Sequence, residues 1–579
     1  MELRIRMATI IRKSKVTGLS FFIFSLSFLI FHFSPALAQP GWVKKATKSV
    51  VTVKTFDDNG TLLGSANGVF VSEGGDVVSS YGLFRGASRA VVIDASGKEW
   101  PVACVLGANE TYDVCKVRIA DAKKVQPLTV TAQAQPVGTS LWLLPYRETK
   151  SLPSPVVRKT ETFNSDYTYY TLKASSSGQM VEGTPVLNAN GEVVALLQPS
   201  QGPADTLLYA VSACFADSLR TMGLSINDPA LKAINIRKAL PSDESQAQLT
   251  LYVAGSTLDS AAYAQLVDDY VAQFPQSHEG YVYRAQQAFG GGNFADCDHA
   301  LNEALQRAEA LGKADEVHYT WSRLMLAALT AAKPVDYEAW NFQRAQQEAE
   351  AAYAANPLPI YRQQQAYVLA AEKHYDDASA IYAELFQSPL RSPELFYEAS
   401  RCRVLAGDTV GQLALLDSCV ACFSRPLLKE AAPFILARAE ARMDAGEHRQ
   451  AVNDLNDYGE LMKAQLSDGF YYLRYQAELG GRLFQQALND IAQAVQLNPQ
   501  SELYLSEQAS LQVRVGLYED AIGTAQQLVA LAPDHSDGYL FLGLAQCLTG
   551  KKTEGATNLQ RAKELGDPQA DELIEKYSK

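Results

Sequence analysis

One stretch decides the fold of the N-terminal part of this chain: MVEGTPVLNANGEVVALL, residues 180–197. The segment Asn188–Gly191 is typical of a β-hairpin turn, because asparagine and glycine tolerate the backbone angles that tight turns require. The apolar run Val193–Leu197 that follows it is typical of a strand. The stretch therefore predicts a strand that is entered through a short polar turn.

Similar β-type runs recur from about Trp42 to Cys214. They alternate with turn signals such as Asp58–Gly60 and Ser96-Gly97. Many short strands at this spacing predict an all-β barrel or sandwich. The predicted strands are Val50–Val53, Gly68–Val71, Ala90–Ile93, Val102–Leu106, Val114–Ile119, Leu141–Leu144 and Val193–Leu197.

Four local patterns in this β region resemble those of trypsin-like serine proteases of the HtrA type. Ala66–Val71 is similar to the S-G-V-I-I strand of that family, and Asp76–Leu83 is similar to its strand ending in T-x-x-H-V. Val105–Ile119 is similar to the segment S/T-D-I-A-V-L-K-I, and Met180–Ala195 is similar to G-N-S-G-G-P and the strand after it. The resemblance implies a trypsin-like double β-barrel.

The catalytic positions depart from the family pattern. A Ser-His-Asp protease needs an imidazole that takes the serine proton and returns it to the leaving group. With Ser79 in the place of the family's threonine, the histidine position falls on Gly82, the aspartate position on Asp113 and the nucleophile position on Glu182. No histidine occurs between residues 39 and 277. Only one residue of the triad is therefore retained.

The oxyanion loop departs from the family as well. Met180 and Thr184 stand at two of its glycine positions. Glycine best tolerates the backbone geometry that points N–H groups inward, so these replacements also argue against catalysis. The resemblance thus predicts a retained scaffold without hydrolysis, in which Asp113 is a hydrogen-bonded carboxylate that the Tyr81 hydroxyl or a water satisfies.

Three other interpretations keep a catalytic function. In the first, a shifted alignment places a serine of Ser175–Gly178 at the nucleophile site, with Lys173 as its base. In the second, Tyr81 and the two carboxylates at the triad positions form a new acid/base centre, because two carboxylates in one cleft raise a pKa. In the third, His278 or another histidine of the C-terminal region enters the cleft. The chain would then be an active or partner-completed serine endopeptidase.

From about Ser256 the chain is rich in Ala, Leu, Gln, Glu and Tyr, and it repeats about every 34 residues. Small residues recur about twelve positions apart, as in Ala509 and Ala521, and Pro533 follows about twelve residues later. Small side chains let two antiparallel helices pack closely, and proline ends the second helix. The pattern resembles the tetratricopeptide repeat, which implies an all-α solenoid. The repeat register between residues 316 and 357 stays open.

The resemblance to tetratricopeptide repeats also implies a peptide-binding groove lined by the first helix of each repeat. Aromatic rings supply contact area in such a groove, and amide side chains bond a peptide backbone. Packing between helices is the alternative role of the same aromatic residues. The implied groove positions are Gln286, Phe289, Gln363, Tyr367, Phe396, Arg403, Tyr472 and Gln476.

The N-terminus has the layout of a secretory signal peptide. A basic start precedes the apolar run Leu19–Phe33, and the small-residue pattern Ala36–Ala38 predicts cleavage after Ala38. The run is short for a transmembrane segment, and no later segment approaches that length. This signal-peptide layout leads us to expect export to the periplasm, the cell surface or the medium.

The formal net charge of −13 disfavours nucleic acid as a partner.

The 8 cysteines permit disulfides in an exported protein. Cys104 and Cys115 lie in adjacent predicted strands and are the favoured pair. Cys419 and Cys422 have C-x-x-C spacing but no second such pair, so buried free thiols are favoured over a metal site. The sequence contains no phosphate-binding loop and no dinucleotide motif. No cofactor and no metal are predicted.

The sequence thus predicts a signal peptide at 1–38, a trypsin-like (pseudo)protease domain at 39–222, a linker at 223–255 and a tetratricopeptide repeat domain at 256–579. The predicted function is that of an exported pseudoprotease scaffold that binds protein or peptide partners. Two alternatives are a serine endopeptidase whose repeats recruit substrate and a structural component of a cell-envelope assembly.

Overall fold

The computed structural model describes residues 40–148, 152–174, 180–199, 207–333 and 335–577. They belong to two compact units, one ending at Pro275 and the other beginning at Gln276. The predicted signal peptide and the serine-rich segment 175–178 lie outside the described residues. Within the described ranges, no helix combines the length and apolar character needed to cross a membrane.

The first unit opens with a short helix, α1 (Val43–Ala46), and a closed antiparallel barrel of six strands. Valine side chains from neighbouring strands meet inside it, and Val53, Val77 and Val117 are fully buried. The strand order around the barrel is β1-β2-β3-β6-β5-β4. The strands are β1 (Val50–Phe56), β2 (Leu62–Phe70), β3 (Asp76–Ser79), β4 (Arg89–Ile93), β5 (Glu99–Asn109) and β6 (Val114–Ile119).

A second antiparallel sheet of six strands follows, in the order β7-β10-β11-β12-β9-β8. An isolated bridge between Ser140 and Val156 brings its β7 and β8 edges together. The predicted all-β fold of this region is confirmed, and each of the seven predicted strands is present. The strands are β7 (Trp142–Leu143), β8 (Val156–Phe163), β9 (Tyr167–Lys173), β10 (Pro185–Leu187), β11 (Val193–Leu197) and β12 (Leu207–Ser212).

The stretch predicted as a linker, 223–255, is folded onto the first barrel. Ile234 and Ile236 are buried in the barrel core. The Val105 N–H donates to the Arg237 carbonyl oxygen, and the Ala239 N–H donates to the Val105 carbonyl oxygen, both at 2.8 Å. Three helices complete the first unit: α2 (Pro229–Lys232), α3 (Glu244–Ala254) and α4 (Ser260–Gln273). The second unit therefore begins about twenty residues after the predicted start of the repeats.

The second unit is built from helices that pack in consecutive pairs. The second helix of each pair also contacts the first helix of the next pair. The helices are α5 (His278–Gly290), α6 (Phe294–Leu311), α7 (Ala314–Leu329), α8 (Phe342–Ala355), α9 (Pro359–Ala371), α10 (Tyr375–Leu385), α11 (Pro393–Leu405), α12 (Thr409–Val420), α13 (Ala432–Asp444), α14 (His448–Met462), α15 (Asp468–Gly480), α16 (Phe484–Leu497), α17 (Glu502–Arg514), α18 (Tyr518–Leu531), α19 (Ser536–Leu548), α20 (Lys552–Glu564) and α21 (Ala570–Tyr577).

The region whose repeat register stayed open, 316–357, contains a long loop within one helix pair. Residues 330–341 separate α7 from α8, whereas three residues separate the two helices of each of the other pairs. The Asp298 carboxylate anchors the end of this loop, because it accepts the indole N–H groups of Trp321 and Trp340 at 2.7 Å each. Arg344 donates to the same carboxylate at 2.9 Å.

Candidate functional site

The aspartate predicted at the triad position lies in the tight connection between β5 and β6. Asp113 has a left-handed backbone there, with φ of 51°. Its carboxylate accepts the Ser80 hydroxyl at 2.6 Å and the backbone N–H of Gly82 at 2.7 Å. Burial raises the pKa of Asp113, and the two donors oppose that shift. The carboxylate is therefore held by the residues that follow β3.

The predicted histidine and nucleophile positions face the same carboxylate. Gly82 starts a 3-10 turn, Gly82–Phe84, and is exposed. Glu182 lies in the loop before β10 and is half-buried. Burial first, and then the negative charge of Asp113, raise the pKa of Glu182. The structure thus places the two carboxyl groups close enough to interact electrostatically, and position 82 presents no side chain to Asp113.

The loop that carries Glu182 is fixed by the first barrel. The Asn67 N–H donates to the Glu182 carbonyl oxygen at 2.9 Å. The Asn67 side-chain amide donates to the Thr184 hydroxyl at 2.7 Å, and this hydroxyl donates to the Val181 carbonyl oxygen at 2.6 Å. Thr184, which replaces a glycine of the family pattern, therefore serves as a hydrogen-bonding residue of the loop.

The structure corrects the prediction about what satisfies Asp113. Tyr81 is 3% exposed and packs in the barrel core, and its hydroxyl has no hydrogen-bond partner among the described residues. The partner of Asp113 is instead Ser80, one residue earlier. The sequence did not reveal Ser80, because it occupies none of the triad positions of the family pattern. Burial also raises the pKa of Tyr81, so its hydroxyl stays protonated at neutral pH and does not act as a base there.

The Ser80–Asp113 bond gives a first expected result. Ser80→Ala removes one donor from a carboxylate that is already costly to ionise, so we expect a loss of about 1–3 kcal/mol in the free energy of unfolding at neutral pH. The loss shrinks as the carboxyl becomes protonated in acid, because the neutral form needs the donor less. Urea denaturation at about pH 7 and about pH 4 measures both values. Ser88→Ala, which touches only a weak surface hydrogen bond, serves as the control and should change stability by less than about 0.5 kcal/mol.

One family of known proteins matches part of this chain. The family model of the trypsin-like peptidase domain matches residues 66–196. These residues form a trypsin-like peptidase domain. Gly82, Asp113 and Glu182 all lie inside it, and the match does not include the helical unit.

Among solved structures, part of this chain is similar to the active form of the Rv3671c protease from M. tuberculosis. That likeness has 17% sequence identity and a TM-score of 0.27, and it covers 32% of this chain and 85% of that one. A mutant, inactive form of the same protease has 17% identity and a TM-score of 0.26, with 32% of this chain and 91% of that chain covered. A comparison with curated protein sequences finds no match.

The predicted groove residues of the helical unit differ in exposure. Gln286 and Gln476 are exposed, whereas Gln363 and Tyr367 are half-buried and joined by a hydrogen bond of 2.8 Å between the Gln363 amide and the Tyr367 hydroxyl. Tyr472 is half-buried and lies 5.0 Å from the Tyr504 ring centroid. These residues keep polar atoms at or near the surface of the first helices.

The other three predicted groove positions have packing or ion-pair partners. Phe396 is only 5% exposed and stacks on Phe386 at 4.3 Å, so it packs between helices and does not line a surface. Phe289 is half-buried and stacks against Trp340 at 6.1 Å. Arg403 is half-buried and pairs with Asp408 at 3.6 Å. The aromatic pattern in the sequence did not separate packing positions from surface positions.

The favoured disulfide is wrong. Cys104 lies opposite Arg118 in the β5–β6 ladder, whereas Cys115 lies opposite Ala108. The two cysteines are therefore roughly 10 Å apart along the ladder, beyond the ~7 Å limit for a disulfide, and both are free. Cys419 is a buried free thiol that donates to a backbone carbonyl, as favoured, and Cys422 is exposed.

A buried glutamate lies in α15. Glu478 is 3% exposed, and one oxygen of its carboxyl group has no hydrogen-bond partner among the described residues. The nearby Arg474 guanidinium donates two hydrogen bonds to the Asp490 carboxylate instead, at 2.6 and 2.9 Å. Burial first, and then the charge of Asp490, raise the pKa of Glu478 to about 8.

This raised pKa gives a pH-dependent expectation. The folded chain keeps the Glu478 proton up to about pH 8, whereas the unfolded chain releases it near the ordinary value of 4.5. The protonated Glu478 carboxyl therefore makes its full contribution to the free energy of unfolding below about pH 4.5. This contribution falls as the pH rises towards 8. Relative to Glu478→Gln, the wild-type unfolding free energy should fall by a few kcal/mol (order of magnitude) across this window. Urea denaturation of both chains at a series of pH values, with the exposed Glu502→Gln as control, measures the difference.

Proposed function

We propose that this chain is a non-hydrolytic protein in which the trypsin-like domain is retained as a scaffold. One observation carries the proposal: the Asp113 carboxylate is bound by the Ser80 hydroxyl and by the backbone N–H of Gly82, the residue at the histidine position. Gly82 has no side chain, and no histidine occurs from residue 39 to residue 277. A general base of the serine-protease kind is therefore missing.

The nucleophile position supports the same proposal. Glu182 has a carboxyl group there and no hydroxyl that a base could activate. Its pKa is raised by burial and by Asp113, and this leaves the carboxylate less ionised than a surface glutamate. Tyr81 does not supply a base, because its hydroxyl is buried in the barrel core.

A fluorophosphonate probe tests this proposal on the purified full-length chain, with trypsin as the positive control. We expect no covalent adduct on any serine of the chain, and mass spectrometry of the digested protein locates an adduct if one forms. Stoichiometric modification of a serine in residues 151–200 would show an activated nucleophile and would support the shifted alignment with Lys173 as base.

We propose further that the helical unit consists of tetratricopeptide-type repeats and binds an extended protein or peptide segment along its first helices. The helices α15, α17, α19 and α21 begin 34 residues apart, which supports the repeat assignment. The exposed amides of Gln286 and Gln476, with the half-buried Tyr472, provide hydrogen-bonding groups and aromatic area on these helices.

A peptide array probed with the purified chain tests the groove. For any peptide that binds, we expect Tyr472→Ala combined with Gln476→Ala to weaken binding by at least about tenfold, since hot-spot residues each contribute more than about 1 kcal/mol. The matched control is Gln485→Ala, an exposed glutamine on the second helix of the same pair. Equal losses in the two variants would place the binding surface elsewhere.

We propose finally that the mature protein is exported and starts at Gln39, on the basis of the basic, apolar and small-residue segments before it. Expression of the full chain in a bacterial host, followed by mass determination of the protein in the periplasmic and membrane fractions, tests this. Retention of residues 1–38 in every fraction would contradict the proposal.

A further inference from the structure

Three potential metal ligands converge at the start of the helical unit. His278 and Glu279 are the first residues of α5, and Glu316 lies in the first turn of α7. The His278 Nε2 atom is 3.2 Å from Glu316 Oε2 and 3.7 Å from Glu279 Oε1. One ligand atom from each residue lies within 4.8 Å of the other two. Among the described residues, no other group of this kind comes together.

Two of these separations are close to those around a tetrahedral zinc ion. Zinc binds imidazole nitrogen and carboxylate oxygen at about 2.0–2.2 Å, which places neighbouring ligand atoms about 3.4 Å apart. The two distances from the His278 nitrogen, 3.2 and 3.7 Å, lie on either side of that value. We propose that His278, Glu279 and Glu316 form a zinc site in which water occupies the fourth position.

The environment of the three residues supports a cation there. His278 is only 3% exposed, so its ring is held in place by packing. Both carboxylates are more accessible, with 30% and 46% of their side chains exposed, which leaves a path for an ion. The surroundings thus combine one rigid ligand with two that can adjust.

The charged groups around the three residues also support a cation there. Lys313 pairs with the other oxygen of Glu316, Oε1, at 3.7 Å and leaves Oε2 facing the imidazole. Within the described part of the chain, Glu279 has no lysine or arginine in ion-pair range, and its ion-pair contact is with His278. Two carboxylates therefore have one lysine between them, and that lysine pairs with Glu316. A divalent cation would balance the remaining negative charge.

The site would join two successive helix pairs. α5 and α7 are the first helices of their pairs, and the three ligands tie one to the other. Bound zinc would add its binding free energy to the stability of this end of the helical unit, because the unfolded chain does not preserve the site. This function is separate from the proposed loss of hydrolysis and from peptide binding.

Zinc titration of the metal-free full-length chain, in competition with a chromophoric chelator, tests the proposal. We expect one zinc per chain, and binding weaker by at least about tenfold in Glu316→Gln and in Glu279→Gln. Glutamine keeps the size of glutamate and can still hydrogen-bond the imidazole, so both variants should fold. His299→Gln, which removes an exposed histidine from α6, is the matched control and should bind zinc as the wild type does.

Two further readouts separate this site from the 8 cysteines. Cobalt bound at the proposed site should give the visible absorption of a tetrahedral ion without a thiolate charge-transfer band, and zinc should raise the melting temperature of the wild type but not of Glu316→Gln. Absence of stoichiometric binding, wild-type affinity in both glutamine variants, or a thiolate band would overturn the proposal. The three residues would then be only a hydrogen-bonded link between α5 and α7.

Discussion

Gly183→Ala should unfold the trypsin-like domain and leave the helical unit folded. Gly183 has φ of 72°, and a Cβ atom at this position would overlap the backbone carbonyl of Asn67 and lie 3.1 Å from the Ser79 hydroxyl oxygen. Left-handed backbone costs about 1–2 kcal/mol for a residue with a Cβ, and overpacking against a fixed backbone typically costs a further 1–3 kcal/mol or so. We therefore expect a loss of about 2–5 kcal/mol in the free energy of unfolding of this domain.

Hydrogen exchange with mass spectrometry resolves this effect by unit. Peptides from the barrel strands should lose protection in Gly183→Ala, and peptides from α5–α21 should keep theirs. Gly86→Ala is the matched control, because Gly86 has φ of 75° but a Cβ atom added there would meet no atom within 4 Å. The control should lose only about 1–2 kcal/mol. Similar exchange in both variants would show that the Glu182 loop does not pack closely against β2.

Asp298→Ala should have the converse effect, in the helical unit. The carboxylate accepts two indole N–H groups at 2.7 Å and the Arg344 guanidinium at 2.9 Å, and it is 9% exposed. Its removal leaves the two indole N–H groups buried without an acceptor, and breaking one side of a buried charged network costs about 3–5 kcal/mol. We expect loss of hydrogen-exchange protection across α5–α9, with unchanged protection in the barrel strands.

Asp296→Ala is the control for this substitution, since Asp296 is exposed in the first turn of the same helix. It should lose less than about 1 kcal/mol, the contribution of a charge near a helix N-terminus. Equal destabilisation by the two substitutions would mean that the loop 330–341 is held by contacts other than the Asp298 carboxylate.

Much of the β fold could be predicted because its signals are local. The run Val193–Leu197 and the turn Asn188–Gly191 each predict their own conformation from residue types that are adjacent in sequence. The packing of Ile234 and Ile236 in the barrel core was not predicted, because these residues alternate with other residues in a short stretch and only the barrel brings them into its core. An alternation of apolar and polar residues over so short a stretch could not be recognised as a strand-like pattern within the mixed composition of 223–255.

Long-range contacts could not be predicted in either unit. In the sequence, nothing distinguishes Ser80 from other serines. In the fold, the β5–β6 connection places the Asp113 carboxylate 2.6 Å from the Ser80 hydroxyl. Glu316 lies 38 residues from His278, and only the packing of α5 on α7 brings them together. The positions Gly82, Asp113 and Glu182 came from a resemblance to a family, and their chemistry depends on which donors the fold brings to Asp113.

The most direct test of the proposed loss of hydrolysis is a cleavage survey. The purified full-length chain is incubated with a complex mixture of denatured polypeptides, and new termini are identified by mass spectrometry, with Asp113→Asn assayed in parallel. We expect no termini beyond those of the buffer control, because Gly82 supplies no imidazole to Asp113 and no hydroxyl stands at position 182. Cleavage by the wild type that is lost in Asp113→Asn would contradict the proposal and show that this cleft is catalytic.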